Sequence, residues 1–134
     1  MRGVVLFLGV LGLLGACAGS PGPPQGTEEV SVTIEHSRFE PDEMEFRAGQ
    51  TVRFVIRNTD PIDHEFILGD EEIQQIHEEG TEAHHGAKPG EISIPAGTTR
   101  TTMFTFSDEG DLIYGCHLPG HYDFGMKGTV SVSS

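Results

Sequence analysis

The chain has 134 residues, with 21 Asp and Glu against 8 Lys and Arg and a formal net charge of −13 at pH 7. That length suits one domain and is short for two separate cores. The acidity argues against nucleic acid, whose phosphates it would repel, and favours a cationic protein or a metal ion as partner.

The chain opens on MRGVVLFLGVLGLLGAC, one Arg followed by a Leu/Val/Gly run that stops at small residues. The run is about 14 residues, short of the ~20 a membrane helix needs, so residues 1–16 read as an export signal rather than a span. Its end, Leu14 to Cys17, resembles the bacterial lipoprotein cleavage box. That resemblance implies cleavage before Cys17 and lipid on the Cys17 sulfur and the new amino end. The expected location is outside the cytoplasm, held by lipid on the outer face of a bacterial membrane, in the periplasm or at the cell surface. AGSPGPPQGTEE follows, rich in Gly and Pro and without an apolar period. Residues 17–28 are therefore expected to form a flexible tether, and residues 29–134 the folded domain.

From residue 29 the apolar residues recur with period two. Val30, Val32 and Ile34 share one face of VSVTIE; Val52, Phe54 and Ile56 share one face of TVRFVIRN, with Arg53 and Arg57 opposite. Thr102, Phe104 and Phe106 alternate with Met103 and Thr105, and Leu112, Tyr114 and Cys116 share a side, as do Val130 and Val132. Turn-forming stretches PDE, AGQ, NTDP, PAGT and DEGD separate these runs. Several short strands at this spacing predict an all-β sandwich or barrel. Met44 and Met103 are expected to fill the core. Residues 69–90, GDEEIQQIHEEGTEAHHGAKPG, break the pattern. They read as an insertion: a short helix over DEEIQQIHEE with Ile73 and Ile76 three apart, then loop.

The chain has two cysteines, Cys17 and Cys116. Lipid on the first leaves the second unpaired in an oxidising compartment, where an unprotected thiol is oxidised. A bound metal would protect it. Cys116, His121 and Met126 stand as C-x4-H-x4-M, spaced by the turn formers Pro119, Gly120 and Gly125. A thiolate, an imidazole and a thioether in one compact loop suit copper, and two His, one Cys and a weak axial Met are the blue-copper set. The second imidazole must come from elsewhere, and His64 at the start of a strand is the best placed. Singly, Cys116 reads equally well as a small buried residue, His121 as a loop residue and Met126 as core filling. His117 and His36 are expected at the surface. His77, His84 and His85 lie among carboxylates in the insertion and make a candidate second metal site, with a solvated acidic loop as the plainer alternative.

The segments FEPDEMEFRAGQTVRFVIRN, DHEF, IPAGTTRTTMFTF and GDLIYGCHLPGHYDFGMKGTVSV together resemble the cupredoxins, the plastocyanin, azurin and rusticyanin family. The resemblance implies an antiparallel Greek-key β-sandwich. It also implies one type 1 copper ion per chain, with His64, Cys116 and His121 as equatorial ligands and Met126 as the axial one. Glu65 stands where many relatives carry Asn or Ser, although its backbone N–H remains able to bond the thiolate. The function this implies is one-electron transfer to a redox partner; the net negative charge predicts a positive docking face on that partner, and a site without an open coordination position predicts no enzymatic activity. The alternative is copper binding, storage or delivery, using the same site and the His/Glu-rich loop.

Overall fold

A computed structural model describes residues 26–80 and 88–134 of the chain. The export signal, Cys17, the tether before residue 26, His84 and His85 lie outside the described residues.

Among the described residues, nine strands and one helix follow in order: β1 Glu28–Glu35, β2 Arg38–Glu40, β3 Glu43–Arg47, β4 Thr51–Asn58, β5 His64–Gly69, α1 Glu71–Glu78, β6 Glu91–Ile94, β7 Thr99–Thr105, β8 Gly110–Gly115 and β9 Lys127–Ser133. They form two sheets, ordered β2-β1-β4-β7 and β3-β9-β8-β5-β6. The result is the expected all-β sandwich. Two of the pairings, β1–β4 and β3–β9, run parallel, and the others are antiparallel.

The period-two pattern explains the core. Val32, Ile34, Val52, Phe54, Ile56, Tyr114, Val130 and Val132 all point between the sheets and are buried. Each such side chain contributes about 1.5–3 kcal/mol by leaving water. Phe46 stacks on Phe106 at 4.6 Å between centroids, and Phe66 stacks on Tyr114 at 5.4 Å. The Tyr114 hydroxyl donates to the Pro41 carbonyl at 2.7 Å, which satisfies its one polar atom. Gly128 makes room for that ring: a Cβ there would lie 2.2 Å from the Tyr114 hydroxyl. Met44 is buried as expected, but Met103 is 47% exposed, because it occupies the outward phase of β7.

Strand β5 is buried along its whole length. His64, Phe66 and Leu68 take the phase facing the other sheet, while Glu65, Ile67 and Gly69 take the opposite one, on the side where α1 meets β5 and β8. Asp70 caps the helix by accepting from Ile73 N at 2.9 Å, and Glu71 and Glu72 sit at its positive end. The helix leaves Ile73 half-buried and Ile76 exposed. It buries Gln74 and His77, and Ile76 is 42% exposed. The reason lies in the surface beneath, which presents carbonyls and a carboxylate. Gln74 Nε2 donates to Ile67 O at 3.1 Å and to Ile113 O at 2.8 Å, and so binds α1 to both β5 and β8.

Candidate metal centre

Three chain segments meet at one end of the sandwich. His64 is the first residue of β5, Cys116 follows β8 directly, and His121 lies in the turns before β9. Their donor atoms lie within 4.8 Å of one another. The Cys116 Sγ is 3.3 Å from His121 Nδ1 and 3.9 Å from His64 Nδ1. Cys116 and His64 are fully buried, and His121 is half-buried. Glu65 N donates to the Cys116 sulfur at 3.3 Å, an interaction that stabilises a thiolate.

The ligand loop is held by its own backbone. Cys116 N donates to Met126 O at 3.1 Å, Met126 N to His121 O at 3.0 Å, and His121 N to Leu118 O at 2.9 Å. Gly120 and Gly125 adopt φ of 81° and 91°, the left-handed region that these turns require. Met126 is buried beside this network. Burial pushes the Cys116 thiol up to about 11, against the opposing effect of the Leu118 and Glu65 backbone N–H groups. Burial, and then the neighbouring His64, lower the His121 pKa, which favours the neutral imidazole that a metal requires.

His64 has a second partner that spacing and motif did not single out. Its Nε2 lies 2.9 Å from Asp60 Oδ2, and Asp60 is itself buried. Asp60 also accepts from His36 N through Oδ1 and from Ser37 N through Oδ2, each at 2.7 Å. Burial works to raise the Asp60 pKa, but these backbone bonds and His64 outweigh it and hold the carboxyl below its usual value. The one sequence signal is an Asp four residues before the His in NTDPIDH.

His117 departs from its expected surface position. Its Nδ1 lies 2.7 Å from Glu78 Oε2, its Nε2 lies 2.8 Å from Gln74 Oε1, and its ring stacks on Tyr122 at 4.5 Å. The insertion helix therefore grips the residue next to Cys116. Gly115 permits the close packing, since a Cβ there would lie 2.7 Å from the Tyr122 ring. His36 is exposed, as expected. His77 is buried, donates through Nδ1 to Ile73 O at 2.8 Å, and places Nε2 3.3 Å from Glu91 Oε2. Lys88 pairs with the same Glu91. Among the described residues, only His64, Cys116 and His121 bring three donors of the His, Cys, Asp and Glu kind together.

One soft sulfur and two imidazole nitrogens on a prebuilt frame fit copper and would be a poor match for the oxygen-seeking Mg²⁺ or Ca²⁺. Fold and donor set together define a cupredoxin-type copper-binding protein with a type 1 site. The model of the plastocyanin/azurin family of copper-binding proteins matches residues 27–133. The chain belongs to that family. It is 35% identical over 104 residues to the copper-resistant cuproprotein CopI of Rubrivivax gelatinosus, covering 75% of this chain and 63% of that relative's length. It is 26% identical over 140 residues to CopI of Pseudomonas aeruginosa, covering 81% of this chain and 77% of the relative. Auracyanin A of Chloroflexus aurantiacus, a "blue" copper protein, superposes with a TM-score of 0.64 at 25% identity, covering 80% of this chain and 99% of that one.

Proposed function

We propose that the chain is a lipid-anchored type 1 copper protein outside the cytoplasm that carries single electrons. The observation that supports this reading most is the His64, Cys116 and His121 donor cluster, already assembled by strand pairing and loop hydrogen bonds. In this reading those three residues are the equatorial ligands, and Met126, buried on the same loop, is the axial one. Bound copper would supply a Cu(I)/Cu(II) couple. The protein's own part is to hold the donors in one arrangement through both oxidation states, so that little reorganises when an electron passes. Four donors leave no open position for a substrate, which disfavours an enzyme.

The exit for the electron lies at His121. This half-buried residue shares a loop with Pro119 and with Phe124, which is 86% exposed. A small apolar contact of this kind suits a brief encounter. The acidic surface would favour a redox partner with a positive docking face.

A second reading is copper binding or delivery in copper resistance, favoured by the names of the CopI relatives. Voltammetry in the presence of a copper chelator separates the two. A reversible one-electron wave with copper retained supports the carrier. Rapid loss of copper to the chelator, with no reversible wave, supports delivery.

A further inference from the structure

We propose that Asp60 is a positioning residue that holds His64 as its Nε2–H tautomer, Nδ1 facing Cys116, and biases the copper site toward Cu(II). The inference rests on His64 serving as a ligand, as proposed above.

An ionised carboxylate only accepts hydrogen bonds. Asp60 Oδ2 lies 2.9 Å from His64 Nε2, so the proton of a neutral imidazole belongs on Nε2. The other nitrogen, Nδ1, then keeps its lone pair, and it is the atom that lies 3.9 Å from the Cys116 sulfur. His64 is 1% exposed and Asp60 7% exposed, so water competes little for this bond.

The carboxylate is itself fixed from two sides. His36 N and Ser37 N donate to it at 2.7 Å from the β1–β2 turn, where both residues hold positive φ, 54° and 55°. Asp60 N donates to Asn58 Oδ1 at 3.0 Å. Asn58 Nδ2 in turn donates to Ile62 O at 2.8 Å and to Ile94 O at 3.1 Å. The β4–β5 connection is thus bound to β6 and to the β1–β2 turn, and Asp60 sits where the two ties meet. A carboxylate in this place has more than an orienting effect. Its negative charge makes the imidazole a stronger donor and favours the more highly charged metal ion. The bias is toward Cu(II), which means a lower reduction potential.

The test is Asp60→Asn in the full-length protein, with Cu(II) and Cu(I) affinities and the reduction potential measured beside the wild type. The amide keeps the shape and loses the charge and one acceptor. Losing such a partner weakens metal binding about 10–100-fold. If the loss falls on Cu(II) alone, the potential rises by about 59–118 mV, at about 59 mV per tenfold for one electron. A merely structural role would weaken both oxidation states alike and leave the potential unmoved, and that result overturns the proposal. Nitrogen-15 NMR of the copper-free wild type gives an independent reading that needs no variant to fold. His64 protonated on Nε2 is expected, and protonation on Nδ1 overturns the proposal. Thiolate colour in the wild type with an unshifted potential in Asp60→Asn removes the role of Asp60 and leaves the ligand set standing. A wild type without that colour removes the ligand set, and this inference with it.

Discussion

The copper-free protein should lose about 1.4 kcal/mol of stability between pH 8 and pH 10 through one buried thiol. Cys116 is fully buried, and its thiol lies at about 11 rather than the usual 9.0. The folded state therefore holds that proton more tightly than the unfolded state does. A group with a raised folded pKa contributes stability that is fully present below the unfolded value and is lost as pH rises through the folded one, here from 9.0 to about 11. At about 1.36 kcal/mol per pH unit the full contribution is about 2.7 kcal/mol, and about half is gone by pH 10. The assay is urea unfolding at both pH values, under reductant and chelator, for the wild type and Cys116→Ser. Tyr114, whose pKa burial also raises, titrates in both proteins and cancels in the comparison. A stability difference between the two proteins that stays constant from pH 8 to pH 10 would refute the reasoning. The same proton must leave when copper binds, so copper affinity should rise about tenfold per pH unit across the neutral range.

Gly128→Ala would place a Cβ 2.2 Å from the Tyr114 hydroxyl and 2.6 Å from Asp42 O, and should cost about 1–3 kcal/mol by urea titration. Gln74→Ala leaves Ile67 O, Ile113 O and His117 Nε2 without this partner. It should cost about 1–3 kcal/mol and speed amide exchange in α1. With a net charge of −13, reduction by a cationic redox protein should slow as salt is raised. A second-order rate that ignores ionic strength would refute the steering.

Alternation made most of the sandwich legible, because a strand half-buried between sheets must place apolar residues on every second position. Val52, Phe54 and Ile56 are buried as that rule requires. Alternation is blind to strand direction, so it could not foresee β1 running parallel to β4. Strand β2, with three residues, is too short to show any period, and Met103, expected in the core for its apolar side chain, follows the outward phase of β7 instead. Which face of the insertion helix is buried could not be read from its apolar residues. The sheet surface beneath it offers the carbonyls of Ile67 and Ile113 and the Glu91 carboxylate, so Gln74 and His77 are buried while Ile73 is half-buried and Ile76 exposed.

At the metal centre, local spacing exposed Cys116 and His121, since both lie in one turn-rich loop. His64 is legible from its place at the start of a strand, from which a side chain can reach that loop. Asp60 stayed hidden because its partners are backbone N–H groups of His36 and Ser37, more than twenty residues earlier in the chain. Backbone donors leave no mark on side-chain pattern. His117 was hidden likewise, since its partners Glu78 and Gln74 stand 39 and 43 residues earlier in the chain.

The visible and electron-spin-resonance spectra of the Cu(II)-loaded protein, recorded beside Cys116→Ser, test the central claim most directly. Sulfur bonded to Cu(II) should give intense visible colour in the wild type and none in the variant. A colourless wild type, or colour that survives replacement of the sulfur, would contradict it.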